Sequence, residues 1–220
     1  MHTNSCLIVY ILLLVSDSPI SVWIDGSSII QNVFVEARQR PGGANFALNR
    51  FGVKIWWQST GGLTLSKMKN RIRIMIRFED PPSYIIVHIG GIDIGNIRLG
   101  YLHYQLVKFM SRLSNKLPET TLISSQVLPR LQWRYSNNGN CMDKCRRRLN
   151  SSICVHMTKH GSCNIRYPDM KATHEFLAED GEHLTKMGNE FFLNIIQGAL
   201  EAIISNKTGG ITFPDDYSKL

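Results

Sequence analysis

The chain has 220 residues, which suits one domain with extensions. Hydrophobic residues make up 43% and charged residues 19%, so a sizeable core is available and wholesale disorder is excluded. Lys and Arg number 25 against 17 Asp and Glu, a net charge of +8 that favours anionic partners, although a merely solvated basic surface gives the same balance.

The first apolar run, Cys6 to Val15, has the length of a signal-peptide core and is too short to span a bilayer comfortably. No Lys or Arg precedes it, and Asp17 and Pro19 make a poor cleavage site. Two readings of 1–21 stay open: a signal peptide, or an apolar segment packed on the domain. Localisation follows that choice, secreted in the first case and intracellular in the second.

Val22-Trp-Ile-Asp25 predicts a strand running into Gly26-Ser27-Ser28, with a helix over 29–38. Arg40-Pro-Gly-Gly43 is a loop and Val53-Lys-Ile-Trp-Trp57 a second strand. Leu65, Met68, Ile72 and Met75 recur at helical spacing, which leaves Arg71, Arg73 and Arg77 for the solvated side. Pro81-Pro82 stops that helix. Tyr84-Ile-Ile-Val-His-Ile89 is nearly all apolar, as a central parallel strand covered on both faces should be. A helix over 98–115 turns Leu99, Leu102, Leu106 and Met110 inward, and Thr121-Leu-Ile-Ser124 is a fourth strand. Residues 140–156 are helical in part, and Asn164-Ile-Arg-Tyr167 is a fifth strand. A last helix over 185–205 faces the core with Met187, Phe191, Ile195 and Leu200. This alternation implies βαβ units, a parallel sheet of about five strands and helices on both faces. The domain then covers 22–205, with 206–220 as a tail.

Four of the five cysteines, Cys141, Cys145, Cys154 and Cys163, fall close together. In a secreted chain they allow two disulfides with three pairings; in a cytosolic one they are free thiols. Their spacing lacks the paired knuckles of a zinc site, so no metal is expected. Asn150-Ser-Ser and Asn206-Lys-Thr are glycosylation acceptors only in a secretory setting.

In open α/β sheets the site lies beyond the carboxyl ends of the strands, so the post-strand segments carry the functional information. Ser28 at a strand-to-helix turn suits a nucleophile, and equally suits a helix cap. Gly62 in Ser59-Thr-Gly-Gly-Leu-Thr64 offers an unobstructed N–H, or a plain turn. His88, inside an apolar strand, reads as a satisfied core histidine. Asp180-Gly-Glu-His183 places a carboxylate where it can hold an imidazole, just before a helix. The same residues also fit a helix-start pattern.

Taken together these segments resemble the sequence blocks of the SGNH (GDSL-like) hydrolase superfamily. Gly26-Ser27-Ser28 is similar to its Gly-Asp-Ser block, and Gly62 to the glycine of the second. Gly90-Gly91-Ile92-Asp93 resembles Gly-Gly-Asn-Asp, and Asp180-Gly-Glu-His183-Leu184 the final Asp-x-x-His. The resemblance spans about residues 22–204. Arg40-Pro-Gly-Gly and Ile55-Trp-Trp further resemble SGNH-type domains of animal mobile-element-derived genes. The resemblance implies a flavodoxin-like three-layer α/β/α sandwich. It also implies a serine-dependent hydrolase of acyl or acetyl esters that needs no cofactor. Ser28 would be the nucleophile, His183 the base, Asp180 its orienter, and the N–H groups of Ser28 and Gly62 the oxyanion donors. The substrate would be a small ester or an acylated glycan.

Two positions depart from the pattern. Ser27 replaces the family Asp, which is outside the triad. Ile92 replaces the family Asn, whose amide donates to the oxyanion, and a lost donor costs about 10²–10³ in rate. Asn96, four residues on, is the candidate replacement. The loss of that donor, with the basic cluster Lys144, Arg146, Arg147 and Arg148, motivates an alternative. In it the chain is a catalytically inactive module that binds a nucleic acid or another anionic polymer.

Overall fold

A computed structural model describes residues 19–206 and 209–215. The apolar run from Cys6 to Val15 therefore lies outside the described residues. The sheet has six strands: β1 (Ile20–Gly26), β2 (Val53–Ser59), β3 (Tyr84–His88), β4 (Thr121–Ser125), β5 (Cys163–Ile165) and β6 (Thr212–Phe213). They lie in the order β2-β1-β3-β4-β5-β6, and every pairing is parallel. The strand added to the expected five is β6, within the stretch read as a tail. Two residues are too few for a visible alternation in sequence.

Five helices join the strands: α1 (Ser28–Gln39), α2 (Leu65–Phe78), α3 (Leu99–Lys116), α4 (Gly139–Lys159) and α5 (Lys186–Asn206). Apolar side chains of α1 and α5 pack on one face of the sheet and those of α2, α3 and α4 on the other. The result is the three-layer α/β/α sandwich that the alternation predicts. The inner strand β3 buries Ile85, Ile86 and Val87 between the two layers, which is why it reads as a continuous apolar run. Among the described residues no helix is long and apolar enough to cross a membrane.

Three helical faces differ from the sequence reading. Helix α5 buries Phe192, Leu193, Ile196, Ala199, Leu200 and Ile203, whereas Met187 is 54% exposed. Its apolar residues cover so much of the circumference that periodicity cannot fix the inward direction. Helix α4 is continuous, and Asn150 is buried within it. Its amide accepts from the Val127 N–H at 3.0 Å and donates to the Val127 carbonyl at 2.9 Å, so in the folded chain it is occupied rather than free to carry a glycan. Arg71 on α2 turns inward as well. Its guanidinium pairs with Asp25, a fully buried carboxylate on β1, and also donates to Thr60 Oγ1 and the Gly26 carbonyl.

Only two of the four described cysteines meet: Cys141 and Cys145, one turn apart, are side-chain hydrogen-bond partners. Cys141, Cys145 and Cys154 lie along α4 and Cys163 is buried in β5, all four as free thiols. Among the described residues no group of His, Cys, Asp and Glu could hold a metal ion.

The Asp25–Arg71 pair sits beneath the start of α1, so it supports the turn that carries Ser28. Removing only the cation strands a buried carboxylate, which costs about 3–5 kcal/mol. Arg71→Met is expected to lower urea-unfolding stability by that amount, and Asp25→Asn combined with Arg71→Met to recover most of it. Equal losses in the single and double variants would show that the pair is not coupled.

Candidate active site

Strand β1 lies between β2 and β3 in register, with Gly26 opposite both Ser59 and His88. The three chain segments that leave these strands therefore start side by side. The N–H of Thr60 donates to the Gly26 carbonyl at 3.2 Å and ties the first two exits together. A Cβ on Gly26 would stand 2.3 Å from Ile30 Cγ1 and 2.9 Å from the His88 carbonyl oxygen, so only glycine lets α1 begin this close to β3.

Helix α1 starts at Ser28, and Ser27 is its N-cap residue with no side-chain capping bond. The Ser28 hydroxyl is not used as a cap either. It lies 2.8 Å from Nε2 of His183, 155 positions away in sequence. The other ring nitrogen, Nδ1, lies 2.5 Å from Asp180 Oδ2. Oδ1 of the same carboxylate accepts the N–H groups of Glu182 and His183, each at 2.9 Å. Burial acts to raise the Asp180 carboxyl. The His183 ring and these two N–H donors outweigh it and hold the carboxyl down to about 2. Asp180 is thus ionised across the neutral range. With Nδ1–H given to the carboxylate, Nε2 is left to accept the serine proton.

The loop that carries Asp180 and His183 is closed on itself. Leu177 bridges Leu184, and the Ala178 N–H donates to the His183 carbonyl at 2.8 Å. A second segment, just after β4, clips it from outside. The N–H groups of Leu131 and Gln132 donate to the Gly181 carbonyl at 2.9 and 3.3 Å. Arg130, with a side chain only 7% exposed, pairs with Glu182 at 3.1 Å. Sequence reading missed Arg130. It follows the fourth strand, so the rule that flags post-strand residues could have found it.

Gly62 follows β2 with φ +65, a left-handed conformation that suits glycine. Among the described residues neither the Ser28 N–H nor the Gly62 N–H has a backbone acceptor. Ile92 is half-buried and lines a narrow cleft with Ser27, Leu63, His88, Gly91 and Arg130. It brings no donor to that wall. Asn96 is exposed in the turn beyond, where its own N–H donates to the Asp93 carbonyl. Asp93 serves the frame instead. Its buried carboxylate accepts the Leu65 N–H at 3.1 Å and joins the exit of β3 to the start of α2, three residues after Gly62.

His88 stands at the end of β3 and is buried at 5% exposure. Its Nδ1 lies 2.9 Å from Ser125 Oγ, which lies 2.6 Å from the Tyr167 hydroxyl. Its ring meets Phe192 edge-on at 5.4 Å. This is the satisfied core histidine that an apolar strand suggests.

Of the sequence-derived basic cluster, Lys144, Arg147 and Arg148 are exposed on one side of α4 and Arg146 points elsewhere. Arg146 is turned in, donating to Asp143 at 2.7 Å and to the Val127 carbonyl at 3.3 Å. Arg147 also pairs with Asp143, at 3.0 Å.

Solved structures match this architecture along nearly their whole length. A GDSL-like lipase from Bacteroides thetaiotaomicron superposes with a TM-score of 0.62 at 16% identity, over 90% of this chain and 98% of its own. A lipase/acylhydrolase from Enterococcus faecalis gives 0.61 at 16%, over 83% and 96%. A psychrotrophic esterase from Pseudoalteromonas, in a structure inhibited by monoethylphosphonate, gives 0.62 at 10%, over 84% and 98%. The chain has the GDSL-type lipase fold. No family model matches its sequence, and no curated protein does. The likeness of this chain to the solved lipases is therefore one of architecture.

Burial, and secondly the charge of Arg130, hold the His88 imidazole down to about 3. The folded chain keeps it neutral, while the unfolded side chain gains a proton below about pH 6.5. Stability from this residue is therefore intact above that pH. It falls by about 1.4 kcal/mol per unit as pH drops toward 3. Urea unfolding at pH 7 and pH 5 is expected to show wild type losing about 2 kcal/mol more than His88→Gln over the interval. Parallel losses in the two proteins would refute this.

Proposed function

We propose that this chain is a serine-dependent hydrolase of acyl or acetyl esters. The observation that carries the reading is the 2.8 Å contact between Ser28 Oγ and His183 Nε2, with Asp180 on the far side of the same ring. A hydroxyl, an imidazole and an ionised carboxylate in that order are the parts of a charge-oriented nucleophile.

In this mechanism Ser28 Oγ attacks the ester carbonyl carbon while Nε2 of His183 takes its proton. The carbonyl oxygen becomes an oxyanion, held by the N–H groups of Ser28 and Gly62. The C–O bond to the alcohol then breaks, and His183 returns the proton to the departing oxygen. Water repeats the sequence on the acyl-serine, with His183 again as base, and releases the acid. Asp180 keeps the proton-bearing nitrogen turned away from the serine and stabilises the imidazolium. No step needs a metal or an organic cofactor.

Ile92 sets the expected pace. An amide side chain there would be a third donor, and its loss costs about 10²–10³ in rate. Slow turnover of short acyl esters is therefore expected. A fluorophosphonate probe is expected to label wild type at Ser28, and Ser28→Ala to abolish both labelling and hydrolysis. Ile92→Asn is expected to raise kcat by at least about tenfold with little change in KM. Absence of labelling in wild type, together with no gain from Ile92→Asn, would leave the inactive binding-module reading in its place.

A further inference from the structure

A second charged feature lies away from the serine, on the outer surface of the layer formed by α2, α3 and α4. Helices α2 and α3 run side by side there and leave a groove between them. Its floor is apolar, made by Ile72, Ile76, Phe109 and Leu113. Its walls carry five cations, Lys69 and Arg73 from α2 and Lys108, Arg112 and Lys116 from α3, and no carboxylate lines it. Among the described residues none of the five has a carboxylate partner. Lys69 donates to Gln105 Oε1 at 2.7 Å, and Lys108 to the Tyr104 hydroxyl at 3.1 Å.

The cations face one another across the groove. Burial lowers the affinity of the Lys69 amine for its proton, and Arg112 and Lys108 lower it further against the opposing pull of Asp93. Such crowding of like charge is unfavourable in the free chain, and an anion seated between the rows relieves it. Elsewhere Arg40 pairs with Glu190 and Arg147 with Asp143.

Geometry narrows the class of anion. Along each helix the cations stand four residues apart, about 6 Å at 1.5 Å per residue. That is close to the repeat of phosphates along an extended single strand. Exposed aromatic rings extend the α3 row: Tyr101 and Tyr104 are 57% and 51% exposed there. A cationic track with aromatic platforms is the general design for binding unpaired nucleic acid, with phosphates on the charges and bases on the rings. We infer that the groove between α2 and α3 binds single-stranded nucleic acid without reading its sequence.

The test is fluorescence anisotropy of the full chain with an end-labelled oligothymidylate of about 20 nucleotides over a range of salt. Wild type is expected to bind with an affinity that falls as salt rises. The variant Arg73→Gln/Arg112→Gln/Lys116→Gln is expected to bind at least about tenfold more weakly, with the slope of log K against log salt reduced by about 2. Tyr104→Ala is expected to weaken binding at least about fivefold while leaving that slope unchanged. A control with the same loss of charge on other surfaces, Arg38→Gln/Arg50→Gln/Lys54→Gln, is expected to stay within about twofold of wild type. All changed side chains are exposed, and circular dichroism establishes that each variant is folded. No binding by wild type overturns the inference, as does equal weakening in the control, which would mean net charge alone. Displacement by heparin at lower concentrations than by unlabelled oligothymidylate, with Tyr104→Ala unchanged, overturns it in favour of a sulfated glycan.

Discussion

Every strand of the sheet runs the same way, so every strand delivers the chain to the same edge. That constraint places Gly26, Ser59 and His88 abreast at the ends of β1, β2 and β3. It also brings a serine and a histidine 155 positions apart within 2.8 Å. The sheet is a sorting device: its faces are reserved for packing, and its carboxyl edge collects the polar side chains that packing cannot use. Asp25 is a buried charge inside the sheet, and it is tolerated because Arg71 meets it there.

The third post-strand segment divides its work between neighbouring residues. Asp93 is built into the frame, holding the first N–H of α2 close behind Gly62. Ile92 faces the cleft and is free of that duty. An exchange at position 92 leaves the backbone of the edge unchanged, whereas one at position 93 would release two loops. This explains how the segment keeps its shape while its chemistry differs from the Gly-Gly-Asn-Asp pattern it resembles.

The strands and the polar residues after them were legible in the sequence because parallel strands are short apolar runs and their exits are rich in glycine. The inward face of α5 was not legible. Its apolar side chains surround too much of the helix, and only the sheet and the neighbouring α1 decide which of them are covered. Arg71 and Arg146 misled for a related reason. A cation on an amphipathic helix reads as solvated until a buried carboxylate or carbonyl, far away in sequence, is known to lie beneath it. Strand β6 depends on contacts between distant segments, and no local pattern announces it; for Arg130 the place after β4 was legible, but its partner Glu182 was not.

The clip formed by residues 130–132 has a mechanical meaning. Through Gly181 and Glu182 it fastens the hairpin of Asp180 and His183 to the exit of β4, and Asn150 fastens that exit in turn to α4. Carboxylate and imidazole are thus carried by a lever whose other arm lies under α4, on the opposite layer from α5, the helix that follows them in the chain. A displacement of α4 would register as a change in the angle between ring and hydroxyl.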